Sequence, residues 1–404
     1  MVGLQFWENG IGSNSRDIAL EFSRHNRVLF VEYPPDLFSF FTRKSKPGIR
    51  SSGNTNHAKA NNLRQLTEKL WILQPHQVLI SANWLPVTSL FRSINKNNNA
   101  RFAREIRRAA AVLGFKDYIL FNDNDIFRSF HLKELLKPVL SLYYLRDNLM
   151  GVPYWFKHGR YLEPELCSKS DLVIANSIYL TRTALQYNLN SFYVEQGCNL
   201  RNFDYSKQTE IPADIKNIPP PVIGFIGALT VLRIDIQLLE LLATSRKQWS
   251  FVLIGPEGAA FKSSKLHKMK NVYFLGAKDL GELPAYLNAF TVAINPQLIN
   301  KVTIGNYPRK IDEYLAMGKP VVAMQTEAME TFQDVTYLAK SRTDFIPLIE
   351  QALRDSDPEK MQARIRFAHS HSWEKSVEEI YLAMEKVKPG LGSGSGERKI
   401  TING

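Results

Sequence analysis

Short apolar runs with almost no polar interruption recur from one end of the chain to the other: NRVLFVEYP, LWILQP, YILFND, LSLYYLRD, DLVIANS, SFYVEQG, PVIGFIGAL, SFVLIGP, NVYFLG, TVAINP and KPVVAMQ. Helically spaced stretches lie between them. A strand with one wet face alternates apolar and polar side chains. An unbroken run needs cover on both faces, which helices on either side of a parallel sheet supply. The pattern predicts an α/β chain of doubly wound domains, and 404 residues with 44% hydrophobic content suffice for two large cores.

The best break falls in SKQTEIPADIKNIPPPVIGF, where Pro219, Pro220 and Pro221 exclude regular structure just before a new strand. A linker is expected at 206–221, between a first domain at 1–205 and a second at 222–372. Trp373 to Val387 reads as one amphipathic helix with Val377, Ile380, Tyr381 and Met384 inward. Residues 389–404, PGLGSGSGERKITING, have the composition of a flexible tail. The KITI within them suits the first strand of a further domain beyond residue 396 in a longer parent chain.

Lysine and arginine outnumber aspartate and glutamate 51 to 39, a formal net charge of +12. The surface therefore favours anions: nucleic acid, acidic lipid or phosphorylated small molecules. Basic residues crowd RKSKPGIR (43–50) and ARFAREIRRAAAVLGF (100–115). The second segment has helical spacing, with Phe102, Ile106, Ala110 and Leu113 on one face and Arg101, Arg104, Arg107 and Arg108 largely elsewhere. It reads equally as a solvated surface helix or a membrane contact. Trp84, Leu85, Leu90 and Phe91, followed by Arg92 and Lys96, add an apolar patch beside charge and lean toward an anionic membrane surface. No apolar run approaches the roughly 20 residues that span a bilayer, and MVGLQFWENGIGSNSRD lacks a secretion pattern. Cys167 and Cys198 are too few for a disulfide framework. A cytoplasmic chain is expected, soluble or peripheral at the inner face of the membrane.

The segment NKVTIGNYPRKIDEYLAMGKPVVAM (300–324) is the most informative: a polar loop, then Pro308, then a helix whose first turns carry Arg309, Lys310 and Glu313. Free amides and a positive dipole end make such a loop, with Gly305 and Asn306, a phosphate site. Lys310 adds a full charge and Glu313 an acceptor for ribose hydroxyls; alternatively Arg309 and Glu313, four apart, form an ordinary surface ion pair. GFIGAL puts Gly224 and Gly227 at one strand end, and LIGPEG puts Gly255 and Gly258 at another, where a ligand can approach the backbone. Neither is a G-x-G-x-x-G or a G-x-x-x-x-G-K-[ST], so hydride transfer and P-loop chemistry lose their main support. Arg233 follows the first turn as a second phosphate anchor or a plain surface arginine.

These residues carry a resemblance. PRKIDEYLAMGKPVVA, with GFIGAL and FVLIGPEG upstream, resembles the donor-binding domain of the retaining GT-B glycosyltransferases of family 4, the group 1 glycosyltransferases. FWENGIGSNSRDIALEFSRHNRVLFVEYP, YYLRDN, EPELCSKSDLVIANSIYL and EQGCNLRNF are similar to the first domain of the teichuronic-acid-biosynthesis-like members. The resemblance covers residues 3–387 and implies two Rossmann-like domains facing a cleft, with the C-terminal helix crossing back to the first. It implies a UDP- or GDP-sugar bound mainly by the second domain, and a glycan or lipid-linked acceptor of envelope polysaccharide synthesis bound mainly by the first. Glu313 matches the second glutamate of the E-x(7)-E motif, and Lys310 and Arg233 fall where cations meet the diphosphate. The first glutamate is replaced by Gly305, so donor-sugar contacts there fall to the amides of Thr303 to Asn306 or the side chain of Asn306.

A departing nucleoside diphosphate needs fixed cations and amides more than a general acid. No cofactor or metal is expected: the second domain has no His/Cys cluster or D-x-D pair, and Asp123 and Asp125 of FNDNDIF only imitate a metal site in the first. Asp147, in YYLRDN, is the candidate for orienting or deprotonating the acceptor, or else a helix cap. His158 is a weaker candidate. Gly12, with Ser13 and Asn14, borders the cleft, as Glu195, Gln196 and Gly197 do before the linker. A sugar-nucleotide epimerase, a catalytically silent glycosyltransferase-like scaffold and a nucleic-acid-binding protein are the rival readings; the last lacks a stacking-aromatic stripe or basic reading helix.

Overall fold

The computed structural model describes residues 1–8, 13–37, 62–207 and 210–391. Gly12, the basic run at 43–50 and the tail from 392 lie outside the described residues. The chain divides into two compact units: Met1–Ala175, Leu180–Val194 and Val377–Gly404 in the first, Asn176–Tyr179 and Glu195–Ser376 in the second.

Among the described residues the first unit holds the strands β1 (Val2–Gly3), β2 (Val28–Val31), β3 (Leu63–Thr67), β4 (Leu70–Leu73), β5 (Ile119–Asp123), β6 (Leu140–Leu145), β7 (Leu172–Ala175) and β8 (Ser191–Tyr193). They form one sheet in the order β3-β4-β2-β1-β5-β6-β7-β8. All neighbours run parallel except the edge pair β3 and β4. Every residue of β2, β6 and β7 is buried, as unbroken apolar runs require of a sheet covered on both faces. β3 (LRQLT) has no such run because it is an edge strand open to solvent, with four of its five residues exposed.

The expected basic helix spans Thr88–Val112, and begins twelve residues before the segment 100–115. Its early turns pass through NKNNN, a loop-like composition of which Asn95, Asn98 and Asn99 are buried and bonded to backbone. Asn98 bonds both backbone groups of Ile80, and Asn95 and Asn99 donate to Phe127 O. Phe102, Ile106 and Ala110 are buried as expected, while Arg104, Arg107 and Arg108 are exposed. The helix Trp373–Val387 buries Val377, Ile380 and Met384, and Tyr381 packs edge-on against Phe22 of the first unit at 5.4 Å.

The second unit holds β9 (Val222–Ile226), β10 (Ser250–Ile254), β11 (Val272–Gly276), β12 (Val292–Asn295), β13 (Val321–Met324) and β14 (Tyr337–Ala339). Its sheet has the order β11-β10-β9-β12-β13-β14, with every pair parallel. The chain winds outward one way from β9 and then the other way from β12, a switch point of the kind beside which open α/β sheets bind ligands at the carboxyl ends of their strands. Both cysteines are buried free thiols. Among the described residues no helix is long and apolar enough to cross a membrane.

Candidate active site

The loops after β9 and β12 bring together the residues singled out in the second unit. They are tied to each other: Leu298 N donates to Arg233 O at 2.8 Å, and the Asn300 side-chain Nδ2 donates to Leu232 O at 2.9 Å. The helix Lys310–Ala316 is fixed to the end of β9 by Tyr314, whose buried hydroxyl accepts from Ile226 N at 2.8 Å and donates to Ile226 O at 3.1 Å. Gly318 ends that turn at φ 67°, a left-handed conformation that favours glycine.

Lys310 therefore points back over the β9 turn. Its Nζ lies 4.4 Å from the centre of the Phe225 ring and 2.8 Å from where a β-carbon on Gly227 would stand. Glycine at 227, at φ 152°, thus leaves room for the ammonium. Among the described residues no carboxylate comes within ion-pair distance of Lys310. Burial, reinforced by the nearby Arg233 charge and only partly countered by Glu313, lowers it to about 8. With its side-chain amide oriented so that the oxygen faces Arg233, Asn306 accepts from Arg233 Nη1 at 2.6 Å. Glu313 sits 3.8 Å from Arg309, so the surface-pair alternative is present in loose form, yet only 13% of the Glu313 side chain is exposed and burial raises its carboxyl.

The loop itself spends most of its donors internally. The amides of Thr303, Ile304 and Asn306 donate to Asn300 O or Thr303 O, and the Thr303 hydroxyl bonds Leu298 O at 2.5 Å. Thr303 is thus a brace of the loop. Of the amides expected to meet a donor sugar, that of Gly305 is the one without an acceptor among the described residues. Gly255 also has a local reason: a β-carbon there would stand 2.0 Å from Gly227 O, so the two strand-end turns cross in contact. Sequence reasoning missed Asn295, the last residue of β12. It is 1% exposed, and neither its amide nitrogen nor its oxygen has a partner. Its one mark in the sequence is a polar side chain at the end of the strand in TVAINP, which by itself predicts no role.

A second group in this unit joins Glu195 to the same helix. His371, 3% exposed, lies with Nδ1 2.7 Å from Asp312 Oδ1 and Nε2 3.3 Å from Glu195 Oε1. The Tyr307 hydroxyl donates to Asp312 Oδ2 at 2.9 Å, and Lys375 lies 3.2 Å from Glu195. Burial works against a charged imidazole, but the two carboxylates raise His371 to about 9, and the His371 bond lowers Glu195 to about 2. Gln196 accepts from the Asn176 amide at 2.6 Å, and Gly197 lies so close to Trp373 that a β-carbon would stand 2.6 Å from its backbone. Glu195, Gln196 and Gly197 therefore have structural partners here.

In the first unit Asp147 follows β6, with its side chain 34% exposed. Arg146 bridges it, at 2.6 Å, to the fully buried Asp123, at 2.7 Å. Burial raises Asp123 in spite of that cation. Asp125 is occupied by the amides of Phe127 and Arg128 and the hydroxyl of Ser129, so its oxygens organise the loop after β5. His158 is buried, with Nδ1 3.2 Å from the Thr88 hydroxyl, Nε2 3.0 Å from Leu85 O, and its ring stacked on Phe91 at 4.2 Å. That is a core histidine. Ser13 caps the helix Asn14–His25.

Comparison with known proteins adds three findings. Residues 220–355 match the family described as glycosyl transferases group 1. TuaH of Bacillus subtilis (strain 168), named as a teichuronic acid biosynthesis glycosyltransferase, is 25% identical over 224 residues, which make up 52% of this chain and 56% of that relative. The chain thus matches little more than half the relative's length. Among solved structures, sucrose-phosphate synthase of Thermosynechococcus elongatus is similar with a TM-score of 0.64 at 14% identity, over 96% of this chain and 98% of its own. HepE of Anabaena, solved with UDP and glucose, is similar with a TM-score of 0.63 at 16% identity, over 95% and 98%. At such identities the likeness is one of fold, the GT-B architecture.

Proposed function

We propose, from the premise that residues 220–355 belong to the group 1 glycosyltransferases, that the chain moves a sugar from a UDP-sugar to a glycan or lipid-linked acceptor in envelope polysaccharide synthesis. The observation that carries this reading is Lys310, a desolvated ammonium with no carboxylate partner among the described residues, beside Arg233 at the point where the sheet reverses its winding. A site that strips water from a cation without neutralising it has room for an anion, and a diphosphate restores the lost solvation. As the glycosidic bond breaks, charge grows on the nucleoside diphosphate, and Lys310 and Arg233 lower the barrier by meeting it. Glu313 accepts from ribose hydroxyls, and Gly227 and Gly255 let the backbone approach. The Gly305 amide and the Asn306 side chain face the donor sugar. In the first unit Asp147, paired with Arg146 at 2.6 Å, orients the acceptor hydroxyl.

UDP is favoured because the structurally similar HepE is described in complexes with UDP and with UDP-glucose. The acceptor class follows from the name of TuaH. A cytoplasmic site of action suits two buried free thiols. Retention of configuration goes with the family that the sequence resembles. Gly305 favours a second reading, a relative that binds the nucleotide without transferring the sugar.

Melting of the wild type and Glu313→Ala with UDP, GDP, ADP and their sugar conjugates tests both. A ligand at about 100 times its dissociation constant adds roughly 2.7 kcal/mol to the folded state. UDP is expected to stabilise the wild type and to lose most of that shift in the variant; absence of any nucleotide shift removes the donor site. Release of UDP from UDP-sugar only when acceptor is added distinguishes transfer from silent binding.

A further inference from the structure

Outside that site, the first unit carries an exposed aromatic face built from two segments. Trp84, Val87 and Leu90 stand out at the start of the helix Thr88–Val112, and Tyr154, Phe156 and Tyr161 along the helix Pro153–Lys169. Direct bonds make them one surface: Asn83 donates to Tyr154 O and Lys157 to Trp84 O, both at 2.7 Å, and Arg92 donates to Glu165 at 2.8 Å. Trp84 is 72% exposed. The neighbouring Leu85 and Phe91 are buried, which corrects the sequence-based patch, and Arg92 is tied up by Glu165.

The charge on this face has one sign. Within the segments 80–93 and 150–168 the carboxylates are Glu163, buried behind the surface, and Glu165, neutralised by Arg92. Arg160 is exposed, with its guanidinium 5.2 Å from the Phe156 ring and 4.8 Å from the Tyr161 ring. Lys157 lies beside it. Rings with one apolar and one polar end, interleaved with aliphatic side chains and unneutralised cations, match the headgroup boundary of an anionic bilayer. There the rings and aliphatics sink below the phosphates while the cations stay among them. We propose that this face docks the protein on an anionic lipid surface. The inference stands apart from the transferase reading, since it involves none of the residues assigned to the donor or acceptor.

The test is co-sedimentation of the full chain with vesicles of pure phosphatidylcholine and of phosphatidylcholine mixed with phosphatidylglycerol. The wild type is expected to pellet with the anionic vesicles and far less with the neutral ones, and to be released by salt. Trp84→Ala with Phe156→Ala, both exposed side chains, removes binding to the anionic vesicles. Arg160→Gln weakens it about fivefold, the loss expected for one cation near such a surface. Melting without lipid checks that each variant remains folded, and a variant that unfolds is replaced by Leu90→Ser. A wild type that stays in the supernatant with both vesicles overturns the proposal, as does a folded aromatic variant that pellets like the wild type. If the wild type without lipid sediments as a dimer that the aromatic variant converts to a monomer, the face belongs to a second copy and the lipid proposal fails.

Discussion

Replacing His371 by glutamine should remove a pH dependence of the second unit's stability whose size can be worked out from the structure. The imidazole rises from an ordinary 6.5 to about 9 on folding because Asp312 and Glu195 hold its charge. A rise of that size corresponds to about 3 kcal/mol of stability while the ring is charged. Since the folded value is raised, this contribution is full below pH 6.5, declines from there, and is gone above about 9. Glu195 is held low, to about 2, so its own contribution is lost only in acid and is constant across that window. For a unit of this size, 1 kcal/mol moves the melting temperature by roughly 2–4 °C. The melting gap between wild type and His371→Gln should therefore shrink by about 6–12 °C between pH 6 and pH 9.5. Taking the difference cancels Lys310 and Lys319, which also titrate near 8 but are present in both proteins. A gap that stays constant across this range would refute the charged state assigned to His371.

Gly255→Ala should cost roughly 3 kcal/mol or more, because the added methyl meets Gly227 O at 2.0 Å; Gly276→Ala, at φ 70° with open space around it, should cost only about 1–2 kcal/mol, and equal melting losses would contradict the crossing. Titration calorimetry with UDP should show affinity falling roughly tenfold from pH 7 to 9 as Lys310, held at about 8, loses its proton. Lys310→Met should bind weakly with a flat profile; a steep profile in the variant would exclude Lys310 as the titrating group. Asp147→Asn should lower sugar transfer by about 10²-fold and leave the UDP melting shift intact, whereas loss of that shift would move Asp147 out of the acceptor role.

Much of the fold was legible because a parallel sheet imposes one demand, burial on both faces, and that demand writes itself as unbroken apolar runs. β6, β9 and β13 follow directly from it. β3 escaped because an edge strand is exempt from the demand. The early turns of Thr88–Val112 escaped because Asn95, Asn98 and Asn99 satisfy buried backbone with side-chain amides, a task that composition reads as loop. In the site, Lys310 and Glu313 were legible from a loop-to-helix signature and from resemblance. The His371 cluster was not, because Glu195, Asp312 and His371 are far apart in sequence and only packing joins them. Asn295 was equally hidden, since a lone polar residue at a strand end signals nothing until its neighbours are known to leave it unpartnered.

The first unit is discontinuous: it includes residues from Val377 onward, and Tyr381 packs against Phe22. Synthesis delivers the chain in order, so the ribosome releases the whole of the second unit before the first receives its last helix. The usual sequence, in which an N-terminal domain folds first and independently, is therefore reversed in its final step. Until that helix arrives, the surface around Phe22 lacks its natural cover, and the nascent first half exposes an apolar seam that invites chaperones or self-association.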